Sequence, residues 1–178
     1  MAECYLFTGG SSCGKSGHAE SFLCHKATGR KLYLATMEPF GAEAAQRIAR
    51  HRAMRAGKGF ETAEWPRDLL SFTPEAPVSG ILLEDMGNLV ANEVFSPEGC
   101  PEHLVEHIVE GVDHLARFCD TLVIVTNEIG CDGGNYPAET RRYIENLGAV
   151  NAALAARCDG VARSVCGFLI PLKGAQLF

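Results

Sequence analysis

Residues 4–16, CYLFTGGSSCGKS, decide the reading of this chain: a short apolar run opens into a G-x-x-x-x-G-K-[ST] loop at Gly9, Gly14, Lys15 and Ser16. Phosphate groups need a concave ring of backbone N–H donors, and glycine lets the backbone curl that tightly without a side chain in the way. Gly9, Gly10 and Gly14 supply that curl. The spacing then sets Lys15 beside the β- and γ-phosphates, offers the Ser16 hydroxyl to Mg²⁺, and aims the start of a helix at the anion. The flanks agree, since YLF before the loop reads as a buried strand and GHAESFLCHK after it as a helix. The loop therefore predicts a bound nucleoside triphosphate.

The rest of the composition bounds what such a protein can be. Its 178 residues, 47% of them hydrophobic, suffice for one domain with a sheet covered on both faces. A formal net charge of -6 argues against nucleic acid as a partner. No apolar run is long enough to cross a bilayer, and no signal peptide is evident. The eight cysteines form no C-x-x-C pair, so they read as reduced thiols of a cytoplasmic protein, mostly small buried hydrophobes, with Cys13 in the loop as the exposed exception.

Strand and helix patterns alternate along the chain, which predicts a mostly parallel sheet. Residues 31–36 read as the second strand, 41–55 as an alanine-rich helix, 66–70 as a helical turn, and 78–85 as the third strand. Helices follow over 87–95 and 101–118, then the strand TLVIVTNE over 121–128. A glycine-rich loop at 130–137 leads into a helix over 138–157, and 161–173 close the chain as one or two strands with a turn at Gly167.

Three clusters carry further chemistry. Arg47, Arg50, Arg52 and Arg55 surround His51 on the predicted helix, an electropositive patch suited to phosphate. His51 is then either a partly buried histidine on a basic helix or a nucleophile toward phosphorus. Glu84 and Asp85 end a strand where P-loop enzymes hold an acid toward Mg²⁺, and strand alternation leaves open which of them faces the metal. Asn127 and Glu128 end another strand and read as scaffolding of the same site. His103, His107, Glu110 and His114 share a helix face, read here as a solvated surface without function.

Taken together, TGGSSCGKS with HAE, YLAT, RIARHR, ETAEW, ILLEDMGNLVANEVF, VTNEIG and LGAVNAALA, in that order, resemble the bifunctional adenosylcobinamide kinase and adenosylcobinamide-phosphate guanylyltransferase family along essentially the whole length. The resemblance implies an α/β, P-loop NTPase-like (RecA-like) three-layer fold in a single domain, its mostly parallel sheet carrying helices on both faces and an antiparallel C-terminal edge. It implies His51 as the carrier of a covalent GMP and Lys15 as the second catalytic group. Nucleotide contacts are implied at Gly9, Gly10, Ser11, Ser12, Cys13, Gly14, Lys15, Ser16, Ala35, Thr36, Met37, Arg52, Ala53, Met54, Arg55, Glu64 and Glu84, leaving Ser16 and Asp85 for Mg²⁺. ATP and GTP are the implied nucleotides, adenosylcobinamide and its phosphate the acceptors, and a homotrimer the assembly. This chain departs from the common pattern at Ser12 and Cys13, and carries Arg50 where some members have a second histidine. Two alternatives share the loop: a small-molecule kinase without guanylyl transfer, and a non-catalytic nucleotide-binding module.

Overall fold

A computed structural model describes residues 2–38, 57–98 and 100–178. Seven strands form one sheet: β1 (Glu3–Gly9), β2 (Lys31–Ala35), β3 (Phe60–Glu64), β4 (Val78–Glu84), β5 (Cys119–Val125), β6 (Gly160–Val165) and β7 (Phe168–Lys173). Their order is β3-β2-β4-β5-β1-β6-β7, with only β7 antiparallel to its neighbour. Among the described residues four α-helices accompany them: α1 (Lys15–Lys26), α2 (Met86–Val94), α3 (Leu104–Leu115) and α4 (Ala138–Arg157).

Alternation along the central strands splits the core in two. Tyr5, Phe7, Tyr33, Leu82, Val123 and Val125 pack on one face with Ala19 and Leu23 of α1. Leu6, Leu34, Ile81, Leu83, Leu122 and Ile124 pack on the other with side chains of α2, α3 and α4. Both faces are covered, which is why these strands read as near-continuous apolar runs. Gly80 lets α1 approach β4 closely, because a Cβ there would lie 2.6 Å from Leu23 Cδ1 and 3.0 Å from the Ala27 Cβ. The helix that begins at the phosphate loop is thereby laid against the strand that ends in Glu84.

The structure adds β3, FETAE, which sequence periodicity passes over, so the strand beginning at Val78 is the fourth and not the third. β3 is a half-exposed edge strand with no apolar run, and its pairing with β2 defines it. The turn expected over 66–70 is a 3₁₀ turn at Leu69–Ser71, and β5 ends at Val125, with Thr126 N and Glu128 N beyond it still donating to Phe7 O and Gly9 O of β1. β6 and β7 form a hairpin through Cys166 and Gly167, both at positive φ, the geometry a two-residue turn needs. The helix expected over 41–55 lies outside the described residues.

The cysteines differ from expectation in burial: only Cys158 is fully buried, Cys131 and Cys166 are exposed, and Cys13 is half-buried. All eight are free. Cys4 Sγ lies 2.7 Å from Cys158 Sγ, and that hydrogen bond together with burial pushes the Cys158 thiol up. Burial likewise pushes Cys119 up to about 12, so Cys158 and Cys119 stay protonated and unreactive at neutral pH. The histidine face of α3 is only partly solvated. His114 Nε2 donates to Phe72 O at 2.8 Å and His107 lies 3.7 Å from Asp68, both bracing the segment around the 3₁₀ turn. Among the described residues no group of three His, Cys, Asp or Glu side chains could hold a metal ion, and no helix is long and apolar enough to cross a membrane.

Candidate active site

The phosphate loop leaves the carboxyl end of β1 and is fixed by backbone conformations that few residues adopt. Gly9 and Gly14 have φ of 151° and 93°, and Ser12 lies at 56°. Successive amides in such conformations point inward and make an anion-binding concavity. Lys15, 8% exposed, donates from Nζ to Gly10 O at 3.0 Å, which holds its ammonium across the loop. Ser11, Ser12 and Gly14 are exposed along the rim.

Behind the loop stands the β6–β7 hairpin. Gly9 is in register with Ser164, whose hydroxyl donates to Cys13 O at 2.7 Å. Gly167 N donates to the same carbonyl at 3.2 Å. His18 Nε2 meets Gly167 O at 3.0 Å, and since a carbonyl only accepts, that nitrogen carries the proton. On the other side Glu128 N donates to Gly9 O, and its carboxylate joins Thr8 Oγ1 at 3.2 Å to Arg163 at 2.5 Å. Ser164, His18 and Arg163 are site-supporting residues that sequence reasoning did not single out, and Gly167, read there only as a turn, is another. The only sequence signal for them is the HAE piece after the loop, because the hairpin reaches the loop through tertiary pairing.

That bracing makes Gly9 irreplaceable. A Cβ there would sit 2.6 Å from Ser164 O and 2.7 Å from Cys13 Sγ, at a φ that side chains rarely adopt. Gly9→Ala is expected to destabilise the fold by about 2–4 kcal/mol, summing overpacking and backbone strain. Urea unfolding of variant and parent measures it, and equal midpoints would show that the loop is not wedged against the hairpin.

Register aligns the strand ends that carry the predicted acids. Ala35 of β2 pairs with Glu64 of β3 and with Glu84 of β4, while Glu84 also pairs with Val125. The site thus runs along the carboxyl edge of the sheet, where parallel α/β sheets bind ligands. Ser16 Oγ donates to Glu84 Oε1, bringing the loop hydroxyl onto a carboxylate that is 8% exposed. Asp85 turns elsewhere: Oδ1 accepts from Asn88 N at 2.7 Å and caps α2. The geometry therefore separates two acids that alternation alone left equivalent.

Thr36 fixes this segment. Its N–H donates to Glu84 O, its hydroxyl donates to Asp85 O at 2.7 Å and accepts from Asp85 N at 2.8 Å, and its own carbonyl accepts from Asn92. The Glu84–Asp85 peptide held there is cis. Met37 follows, half-buried. Glu64 is exposed and lines a cavity of about 550 Å³ with Trp65, Arg67 and His107. Asn127 and Glu128 reach the site together, tied to α4 where Asn151 bonds Thr126 at 2.5 Å and Asn127 O at 3.1 Å. His51 with Arg47, Arg50, Arg52, Ala53, Met54 and Arg55 lies outside the described residues.

A glycine loop between β1 and α1, a lysine folded over it and a serine hydroxyl on an acid one strand removed define a P-loop nucleotide-binding protein. Solved structures share the fold. The flagellar accessory protein FlaH of Methanocaldococcus jannaschii superposes with TM-score 0.53 at 13% identity, over 96% of this chain and 78% of that one. A type III secretion system ATPase of pathogenic bacteria superposes with TM-score 0.52 at 13% identity, over 96% of this chain and 58% of that one. The chain belongs to the cobinamide kinase / cobinamide phosphate guanyltransferase family, whose profile matches residues 5–172. It is 33% identical to the bifunctional adenosylcobalamin biosynthesis protein CobU of Salmonella typhimurium, over 94% of this chain and 98% of that protein. It is 30% identical to the bifunctional adenosylcobalamin biosynthesis protein CobP of Pseudomonas aeruginosa, over 97% and 98%.

Proposed function

We propose that this protein phosphorylates adenosylcobinamide with ATP or GTP and then transfers GMP from GTP to the product, giving adenosylcobinamide-GDP. The observation that carries the kinase half is the contact of Ser16 with Glu84 beside Lys15, and family membership supports both halves. In the first reaction the aminopropanol hydroxyl of the acceptor attacks the γ-phosphorus, the bond to the bridging oxygen breaks, and the nucleoside diphosphate leaves as the hydroxyl proton passes to solvent. Loop amides orient the phosphates and Lys15 neutralises charge on the transferring group, so positioning and electrostatics supply most of the rate. In the second, His51 attacks the α-phosphorus of GTP, forming a P–N bond and expelling pyrophosphate. The acceptor's phosphate oxygen then displaces the histidine and takes GMP, which splits one displacement into two easier ones.

The residues present fit a magnesium ion, because a serine hydroxyl and a buried carboxylate, both hard oxygen donors, converge at Ser16 and Glu84. When bound, such an ion would offset negative charge on the transferring phosphoryl group. Glu84 rather than Asp85 is the acid of that pair. Glu84→Gln is accordingly expected to raise the Mg²⁺ concentration for half-maximal kinase activity by about 10-fold or more, whereas Asp85→Asn leaves it near the parent's. Magnesium titrations of the two variants decide this, and the opposite ranking would return the metal to Asp85.

The reading places the enzyme in the cytoplasm, consistent with eight free thiols, and as a homotrimer. Phe168, Ile170 and Leu172 stand exposed in a row along edge strand β7, an apolar surface suited to a second copy. Light scattering of the eluted protein tests the assembly against three times the 19.1 kDa chain mass.

A further inference from the structure

An ion pair at the root of the phosphate loop takes no part in the two reactions above. β6 runs parallel to β1 with Arg163 in register with Thr8, the residue just before the first glycine of the loop. Residues in register share a face of the sheet, so both side chains leave on the same side. Glu128 meets them there. Its Oε1 accepts from the Thr8 hydroxyl at 3.2 Å and its Oε2 from Arg163 at 2.5 Å. Glu128 N donates to Gly9 O at 3.1 Å, and the residue lines a cavity of about 540 Å³ together with Ser11 of the loop.

A carboxylate in that place works against a triphosphate. Glu84 and Asp85 already stand at the same carboxyl edge of the sheet, with the Lys15 ammonium set against them. Glu128 adds a further negative charge beside the loop, and like charges repel more strongly where water is partly displaced. Its side chain is 22% exposed and that of Arg163 48%, so solvent screens the pair only in part. Arg163 cancels this charge. The hydrogen bond and charge of Glu128 push the guanidinium above its usual range, so it stays a cation, and the Cys131 and Cys13 thiols act on it as well. Cys13 belongs to the loop itself, which agrees with an arginine seated at the loop's flank.

We propose that Arg163 is a positioning residue for the nucleotide: it holds and neutralises the Glu128 carboxylate, and so sets how strongly the loop prefers a triphosphate to a diphosphate. This rests on the loop holding ATP or GTP and assigns a charge control to that same site. The effect grows with the charge of the ligand, so ATP gains more from it than ADP, which carries one negative charge fewer.

Calorimetric titration of the full chain with ATP and with ADP, each with Mg²⁺, tests this without any acceptor. Arg163→Gln leaves the carboxylate unneutralised and is expected to weaken ATP about 5-fold, and ADP less. Glu128→Gln keeps an acceptor for the Thr8 hydroxyl but drops the charge, so ATP is expected to bind about 5-fold tighter. Arg163→Lys retains a cation and stays within about 2-fold of the parent, and the double Gln variant returns toward the parent because neither charge is left. Higher ionic strength shrinks both single effects. A brace without electrostatic action predicts otherwise: both Gln variants weaken ATP and ADP by one factor, at any salt concentration. That result, or ATP binding unchanged in both, overturns the proposal. Should Arg163→Gln fail to fold, the direction of change in Glu128→Gln decides alone. A parent protein that binds neither nucleotide overturns the reading of the loop, and this proposal with it.

Discussion

His51→Ala is expected to lower guanylyl transfer by about 10⁴-fold or more, the scale of losing a covalent nucleophile, while phosphoryl transfer to adenosylcobinamide continues. The separation follows from the chemistry of the two halves. In the proposed mechanism only the second half needs a nitrogen that can hold GMP between donor and acceptor, whereas the first is a direct displacement oriented by the phosphate loop. Incubation with α-labelled GTP gives the second readout: the parent retains acid-labile, alkali-stable label on histidine and releases pyrophosphate, and the variant retains none. Equal transfer rates in variant and parent would remove the covalent mechanism. Loss of both activities together would instead make His51 part of the shared nucleotide site.

Lys15→Ala is expected to lower phosphoryl transfer by about 10²–10³-fold, as does removal of one donor aimed at developing charge in a dry site. Lys15 is positioned for this task, since the residue is 8% exposed and its Nζ donates to Gly10 O at 3.0 Å within the loop. Lys15→Arg should recover little of the loss, because a planar guanidinium does not fit where a compact point charge is held. The single bond to Gly10 O is a small part of the fold, so the unfolding midpoint should move little while activity collapses. Activity within tenfold of the parent would contradict the assigned role.

The fold was legible because its signals are local. A strand, a glycine loop and a helix in sequence specify the phosphate site, and apolar runs such as ILLE and TLVIV specify strands buried on both faces. β3 was not, because FETAE sits at the sheet's edge with half-exposed residues and owes its extended shape to pairing with β2. The same limit applied to Glu84 and Asp85. Alternation shows that neighbours in a strand face opposite ways, but which of them meets Ser16 depends on how α1 lies along β4, and that is set by the close approach at Gly80.

The sequence by itself determined that this chain holds phosphate, since a curl of glycines followed by lysine and serine carries its chemistry within eight residues. Its ordered matches along the chain determined the family. Only the tertiary structure decided that Ser164 and Gly167 brace the loop from about 150 residues away, that Glu84 and Asp85 part ways, and that Asn127, Asp85 and Tyr143 crowd close to Gly87. Contacts between residues far apart in sequence arise from strand order and helix packing, and no local pattern encodes them.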